Sequence, residues 1–219
     1  AGSLTLANGN NSYTGTTTVA EGGLTLGANN SLGQTSSLTV KESANVDIGD
    51  YIQRVGALIN QGLVKLGSGA LDIVNTFDNR GIVNVGSGTL ALSQGGTSSK
   101  VGGISGQGTI DVQGGSLNLN AANSQFTGDV NIGAQAGVVL NSANALGSAN
   151  VDLADSSSSL SLNAKDILAN TLSGSGTLNT QADVTLTGNN QNFTGKHNVE
   201  ANGALTVNSR NALGGSSSV

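Results

Sequence analysis

The chain has 219 residues, with 34 glycines, no proline, cysteine, methionine or tryptophan, and 2 Tyr and 3 Phe as its aromatic residues. The lack of cysteine excludes disulfides, thiol catalysis and cysteine-based metal sites, and a net charge of −5 without a basic cluster excludes the electrostatic footprint of a nucleic-acid-binding protein. Its hydrophobic residues, 36% of the chain and almost all aliphatic, can fill only a narrow core, and no segment is apolar over the roughly 20 residues of a membrane-spanning helix.

Short apolar-x-apolar triplets recur along the whole chain, with Gly, Asn and Ser in nearly every gap between them. Two side chains of a triplet point to one face of a strand and the middle one to the other, so each triplet predicts a very short, half-buried strand. Their regular spacing argues against the disorder that a glycine-rich polar composition would otherwise suggest. The triplets include, in chain order, Leu4-Thr5-Leu6, Leu24-Thr25-Leu26, Leu38-Thr39-Val40, Val46-Asp47-Ile48, Leu71-Asp72-Ile73, Leu90-Ala91-Leu92, Ile110-Asp111-Val112, Leu117-Asn118-Leu119, Val130-Asn131-Ile132, Val151-Asp152-Leu153, Leu160-Ser161-Leu162, Val184-Thr185-Leu186 and Leu205-Thr206-Val207.

A short repeat lies between residues 60 and 119. The segment 60–73 (NQGLVKLGSGALDI) recurs at 79–92 (NRGIVNVGSGTLAL), with apolar positions and glycines in step. We place a looser third copy at 108–119, which follows the second at a longer offset than the second follows the first. That longer offset predicts that residues 93–103 (SQGGTSSKVGG) form an inserted loop.

A long repeat occurs three times, at 4–33, 117–147 and 184–214. Each copy has an Asn, an aromatic-Thr-Gly, a Val or Ile, an apolar strand and a closing Ala/Ser-Leu-Gly. Three of the aromatic residues occupy one position of this repeat, which predicts core or turn-packing residues rather than ligand-stacking ones. The Asn residues are Asn10, Asn123 and Asn190, and the aromatic residues are Tyr13, Phe126 and Phe193. Tyr51 and Phe77 lie outside the repeat and are expected to pack against a loop or to be exposed singly.

The long repeat resembles the passenger-associated β-strand repeat of autotransporters, the type V secretion family. The resemblance implies that residues 1–219 are a single segment of a longer adhesin passenger domain, secreted to the bacterial cell surface and anchored in the outer membrane through a C-terminal barrel outside these residues. It also implies cell aggregation, biofilm formation or attachment to host matrix or glycan, including self-association between passengers on neighbouring cells. This segment itself is expected not to insert into a membrane.

The repeats also predict the fold on physical grounds. A unit of about 20 residues with two or three short strands cannot bury its apolar side alone, so successive units must stack around a shared core. We therefore expect an all-β, right-handed parallel β-helix of about 10–11 rungs and about 50 Å in length. Gly and Asn supply the left-handed conformations of tight corners, and proline is absent because it cannot donate to a ladder paired on both sides.

The residues that could carry catalysis are few and scattered. His197 is the single histidine, and we expect it to be solvent-facing or packed between rungs, at a position where the other long repeats have Thr17 and Val130. No serine lies in a nucleophile motif. Four acids occupy outward middle positions of triplets and predict a solvated surface, since a glycosidase needs two carboxylates facing each other across a cleft. These acids are Asp47, Asp72, Asp111 and Asp152.

A calcium-binding Gly-Gly-x-Gly-x-Asp repeat is present only as one imperfect copy, Gly106 to Asp111. We therefore predict no catalytic, cofactor-binding or metal-binding residues and no enzymatic activity.

The outward polar residues remain as the candidate working surface. Stacking places them in rows, which can bind the same rows of another molecule or can form ladders within the coil. These residues are Thr5, Thr25, Thr39, Asn118, Asn131, Thr185 and Thr206. The preferred function is an adhesive, self-associating passenger. The alternatives are a passive stalk that carries a separate functional domain and, less favoured, a polysaccharide-cleaving β-helix enzyme.

Overall fold

The computed structural model describes residues 2–9, 11–215 and 218. These residues form 24 β-strands and no helix, so none of them belongs to a helix that could span a membrane. All pairings between the strands are parallel. The chain is a parallel β-solenoid, which confirms the predicted fold class.

The strands are short and follow one another closely. The first twelve are β1 Ser3–Leu6, β2 Thr16–Val19, β3 Gly22–Leu26, β4 Ser37–Val40, β5 Ala44–Gly49, β6 Ile52–Asn60, β7 Leu63–Leu66, β8 Ala70–Asn79, β9 Ile82–Asn84, β10 Thr89–Leu92, β11 Gly95–Ser98 and β12 Ile104–Ser105. The other twelve are β13 Thr109–Val112, β14 Gly115–Leu119, β15 Asp129–Ile132, β16 Ala136–Leu140, β17 Asn150–Leu153, β18 Ser159–Leu162, β19 Asp166–Leu168, β20 Leu172–Gly174, β21 Thr177–Thr180, β22 Asp183–Leu186, β23 Lys196–Val199 and β24 Ala204–Val207.

Each turn of the solenoid offers three strand positions, which we call faces 1, 2 and 3 in chain order. Face 1 comprises β1, β3, β5, β7, β9 and β12. Face 2 comprises the first halves of β6 and β8 with β10, β13, β15, β17 and β20. Face 3 comprises β2, β4, the second halves of β6 and β8, and β11, β14, β16, β18, β21 and β23. Face 3 therefore has ten strands, which gives about ten turns, in line with the prediction. The remaining three-stranded sheet, β19, β22 and β24, follows face 3 in chain order, as face 1 does in the earlier turns.

The register of the short repeat agrees with the sequence for the first two copies but not for the third. Leu71 pairs with Leu90, as the alignment of the first two copies predicts. Leu90 then pairs with Ile110 rather than with Leu117. The placement of a third copy at 108–119 with a longer offset is therefore wrong.

The predicted inserted loop is also wrong, because residues 95–98 form β11, which pairs with β8 and β14. Gly95 and Gly96 have φ angles of 72° and 151° and turn the chain directly from face 2 to face 3. The sequence signal failed here because Gly-Gly-Thr-Ser contains no apolar residue that would mark a strand.

The core is a stack of aliphatic side chains from the inward positions of the triplets. One column on face 2, each residue at most 1% exposed, is Leu71, Leu90, Ile110, Val130, Val151 and Leu172. The prediction that the outer two residues of each triplet point inward is therefore confirmed for the middle turns of the solenoid. Leu4 and Val207 are exposed instead, by 59% and 44%, because β1 and β24 each pair with a neighbour on one side only.

The three phenylalanines are all core residues. Phe126 and Phe193 are buried, as the repeat predicted, whereas Phe77 is 1% exposed and was wrongly expected at a loop or on the surface. Phe77 fits because it faces Gly96, where a Cβ would lie 2.5 Å from the Phe77 Cβ. Tyr13 is 39% exposed and donates its hydroxyl to the Ser31 carbonyl, so it packs at a turn.

The three copies of the long repeat do not lie on equivalent faces. In the first copy the two strands that follow the aromatic residue are β2 on face 3 and β3 on face 1. In the second they are β15 on face 2 and β16 on face 3, whereas the third returns to face 3 with β23. The repeat thus specifies a corner followed by two strands, and this unit occurs at different corners of the solenoid.

A buried Asn holds two copies of that corner. The Asn123 Nδ2 donates to the Ala145 carbonyl at 2.8 Å, and its Oδ1 accepts from the Ile104 amide at 2.9 Å. Asn190 makes the same two contacts with the Ala212 carbonyl and the Leu172 amide. The corresponding Asn10 of the first copy lies outside the described residues.

Candidate interaction surfaces

The single histidine is a core residue near the last turn. His197 is 3% exposed and lies in β23 opposite Leu178. Its ring packs edge-on against Phe193, with 5.1 Å between the ring centroids, and its Nε2 lies 3.2 Å from the Leu213 carbonyl oxygen. Desolvation lowers the pKa of His197, against a smaller opposite effect of the Leu213 hydrogen bond. The prediction of a histidine packed between rungs is confirmed.

Three of the four predicted outward acids share one row on the outer side of face 2. The row runs through Arg54, Asp72, Ala91, Asp111, Asn131, Asp152 and Ser173. Each of the three acids interacts with a polar neighbour. Arg54 forms an ion pair with Asp72 at 3.6 Å. Gln113 donates a hydrogen bond to Asp111 at 2.8 Å, and Ser173 donates one to Asp152 at 2.7 Å. Asp47 lies apart on face 1, 3.9 Å from Lys65.

The outward acids of face 2 are arranged along a single sheet. The acids of face 2 project side by side from one sheet, so none faces another across a cleft as glycoside hydrolysis requires. No group of three or more His, Cys, Asp or Glu that could hold a metal ion occurs within the described part of the chain. Gly106 pairs with Phe126 at a corner, and Asp111 points outward on face 2, so the imperfect calcium motif is not gathered into a binding loop.

None of the predicted outward Thr and Asn residues is buried, but they are distributed over all three faces and the three-stranded sheet. Thr5 and Thr25 lie on face 1, Thr39 and Asn118 on face 3, and Asn131 on face 2. Thr185 and Thr206 belong to the three-stranded sheet. The rows therefore differ in chemistry from face to face.

The middle row of face 3 is mostly polar and nearly free of charge, with two apolar members, Ile59 and Val139. It runs through Thr18, Thr39, Ile59, Asp78, Thr97, Asn118, Val139, Ser161, Asn179 and Asn198. Asp78, its one charged member, is paired with Arg80 at 3.1 Å. Asn198 donates to Asn179 at 3.1 Å, and Asn179 donates to Ser161 at 3.4 Å.

A second set of polar side chains follows the ends of four successive face 3 strands, β11, β14, β16 and β18. These residues form what we call the amide ladder: Ser99, Asn120, Asn141 and Asn163. Asn120 donates to Ser99 at 3.3 Å, Asn141 to Asn120 at 2.8 Å and Asn163 to Asn141 at 3.0 Å. All four residues are exposed. The outer surface of face 3 therefore carries side chains whose positions are fixed by hydrogen bonds between turns.

A second ladder of polar side chains lies inside the solenoid and was not predicted from the sequence. Asn60 donates to Asn79 at 2.8 Å, and Asn79 donates to Ser98 at 3.1 Å and to the Gly103 carbonyl at 2.8 Å. These three side chains are at most 1% exposed. The available signal was the Asn that opens both copies of the short repeat, with Ser98 following Asn79 at the same spacing as Asn79 follows Asn60.

The chain was compared with known proteins. No family model matches it, and no solved structure matches it. It is similar to a protein of Escherichia coli (strain K12) named "Uncharacterized lipoprotein YdeK", with 31% identity over 216 residues. The match covers 98% of this chain but 15% of that protein, so the chain spans about 15% of the length of this curated relative.

Proposed function

We propose that the chain is a segment of an autotransporter-type adhesin passenger at the bacterial cell surface, where its outer faces hold cells together or attach them to a matrix. The observation that carries this proposal is the set of ordered polar rows on face 3, in a chain whose acids and histidine do not converge on a reaction centre. The similarity to a protein named a lipoprotein suggests a cell-envelope location. We further propose that the chain reaches the cell surface by secretion through a C-terminal outer-membrane barrel that lies outside these residues.

The physical case rests on many weak contacts. Each hydrogen bond between two exposed polar rows contributes about 0.5–1.5 kcal/mol. Neighbouring cells present many copies at once, so the modest affinity of each pair is multiplied by avidity. A rigid solenoid suits this role because its rows are ordered before contact.

The proposal can be tested by displaying the chain on a bacterial strain that does not clump. Displaying cells should settle faster than cells that carry the empty display anchor. A displayed Leu90→Asp chain, whose core is disrupted, should settle like the empty anchor at equal surface density. If wild-type cells neither clump nor retain purified matrix proteins, the adhesive function is wrong.

A passive stalk is the second candidate function. It is favoured by the observation that the chain spans about 15% of its relative's length, which leaves most of such a protein to carry activity elsewhere. Display without clumping or matrix binding would support this alternative. Polysaccharide cleavage is less favoured, since the carboxylates of face 2 point away from the coil side by side.

A further inference from the structure

The charged residues of the solenoid are distributed unequally among its faces. Face 2 carries four outward carboxylates and one guanidinium, from Asp72, Asp111, Asp129, Asp152 and Arg54. On face 3, the five successive strands β11, β14, β16, β18 and β21 contain no charged residue. We call the outer side of these five strands, together with the amide ladder, the neutral patch.

We infer that the neutral patch is the self-association surface of the chain and that its partner is the neutral patch of a second copy. This inference rests on the proposed adhesive function and names the face and the partner. Copies of a chain with a net charge of −5 repel one another in most orientations. Apposing two neutral patches brings the fewest like charges together, whereas apposing two copies of face 2 brings their carboxylates together.

The side chains of the patch are suited to bind their own kind. An amide is both donor and acceptor, so a row of amides can bind the same row on another molecule. In the amide ladder, Asn141 gives one hydrogen to Asn120 and accepts one from Asn163, which leaves a second hydrogen and a second lone pair for a partner. Because these contacts already fix the rotamers, association loses less side-chain entropy.

A neutral glycan is the competing partner, and the chemistry of the patch disfavours it. Sugar rings are commonly bound against aromatic side chains, which provide a large apolar face beside a polar edge. None of the five strands contains an aromatic residue. The patch offers small polar side chains instead, including Ser116, Ser159 and Thr177 beside the middle row.

The size of the patch predicts a weak contact. Five strands about 4.8 Å apart span about 24 Å, and five residues along a strand span about 16 Å, which gives roughly 400 Å² for each copy. Two copies would bury about 800 Å², below the range of about 1,200–2,000 Å² for stable complexes. Pairs of isolated chains should therefore dissociate readily, and strong adhesion should need many copies.

The test is clumping of beads coated with the full chain at one fixed density. The variant Asn118→Asp/Asn179→Asp places two carboxylates in the middle row of the patch. The matched control Asn84→Asp/Asn131→Asp makes the same change at outward positions of faces 1 and 2 and gives the same net charge. We expect the patch variant to lower the clumping rate at least tenfold at low salt and the control to stay within twofold of wild type. The patch variant should melt close to wild type, and the control slightly below it, because Asn131 lies between Asp111 and Asp152.

A charge exchange supplies a second readout that does not depend on loss of function. Asn118→Lys/Asn179→Lys beads mixed with the Asp beads should clump again, because opposite charges then meet in the contact. The Lys beads should not clump with wild-type beads, which excludes attraction to the acids of face 2. High salt should weaken the mixed clumping, because the Debye length falls to about 3 Å at 1 M salt and charges farther apart than this are screened.

The possible outcomes separate this inference from the proposed function. Wild-type beads that do not clump and do not bind matrix proteins overturn the proposed function itself. Wild-type clumping that survives the patch variant, or that the control abolishes equally, overturns the assignment of the patch alone. If wild-type beads bind dextran-coated beads but not one another, the partner is a neutral glycan. That result would overturn the assignment of a second copy of the chain as the partner.

Discussion

Leu90 and Ala91 are neighbours in β10 whose side chains point in opposite directions. Leu90 is completely buried, and Ala91 lies on the outer row of face 2 between Asp72 and Asp111. Leu90→Asp should cost several kcal/mol, because it forces an unpaired carboxylate among aliphatic side chains. Ala91→Asp should cost less than about 1 kcal/mol, from repulsion by its two acidic neighbours. Urea unfolding of both variants measures the difference, and equal midpoints would show that the inward and outward assignments of β10 are wrong.

His197 should make the stability of the last turns depend on pH. Desolvation lowers the pKa of His197 below its ordinary value of 6.5, so the unfolded chain takes up a proton at a higher pH than the folded chain does. By linkage, stability is complete above the unfolded pKa and is lost as the pH falls below it, until the folded chain is also protonated. The Nδ1 atom has no hydrogen-bond partner among the described residues, so the burial of a charged ring is not offset there.

The matched variant for this prediction is His197→Leu, since the neighbour opposite is Leu178. Between pH 7.5 and pH 5.0 the melting temperature of wild type should fall further than that of His197→Leu. The carboxylates titrate in both proteins, so the difference between the two shifts reports His197. Equal shifts in the two proteins would contradict the assigned role of desolvation.

The corner of the long repeat depends on a glycine for two separate reasons. Gly147 has a φ of 55°, and a Cβ there would lie 2.2 Å from the Phe126 carbonyl oxygen. Gly102 has a similar φ of 66° but open space around it. Gly102→Ala should therefore cost about 1–2 kcal/mol from the left-handed backbone alone, and Gly147→Ala should cost clearly more. Comparable urea midpoints for the two variants would show that close approach does not matter at this corner.

The elements that could be predicted from the sequence are those with local signals. Triplets such as Leu71 to Ile73 identify strands because their period of two matches the pleat, and the first two copies of the short repeat fix the register of β8 and β10. The buried Asn79 was not predicted, since an isolated Asn is typical of a turn. The row of Asp72, Asp111 and Asp152 was missed because rows depend on the length of every intervening turn, which the misplaced loop at 93–103 obscured.

The whole solenoid has the length that its repeats predict and the surface area of a compact protein. Ten turns about 4.8 Å apart give a length of about 48 Å. The accessible surface is 9287 Å², close to the roughly 9,100 Å² expected for a compact protein of this mass. The neutral patch covers about half of these turns, so one copy offers a small contact, and strong adhesion must come from many copies or from a longer solenoid that contains this segment.

Sedimentation equilibrium over a wide range of concentrations measures whether this chain binds itself weakly through the neutral patch. The average mass should rise reversibly from the 21.4 kDa of the monomer towards that of a dimer only at the highest concentrations. The variant Asn118→Asp/Asn179→Asp should stay monomeric throughout, whereas Asn84→Asp/Asn131→Asp should behave like wild type. A wild-type mass of 21.4 kDa at every concentration would show that the chain does not bind itself.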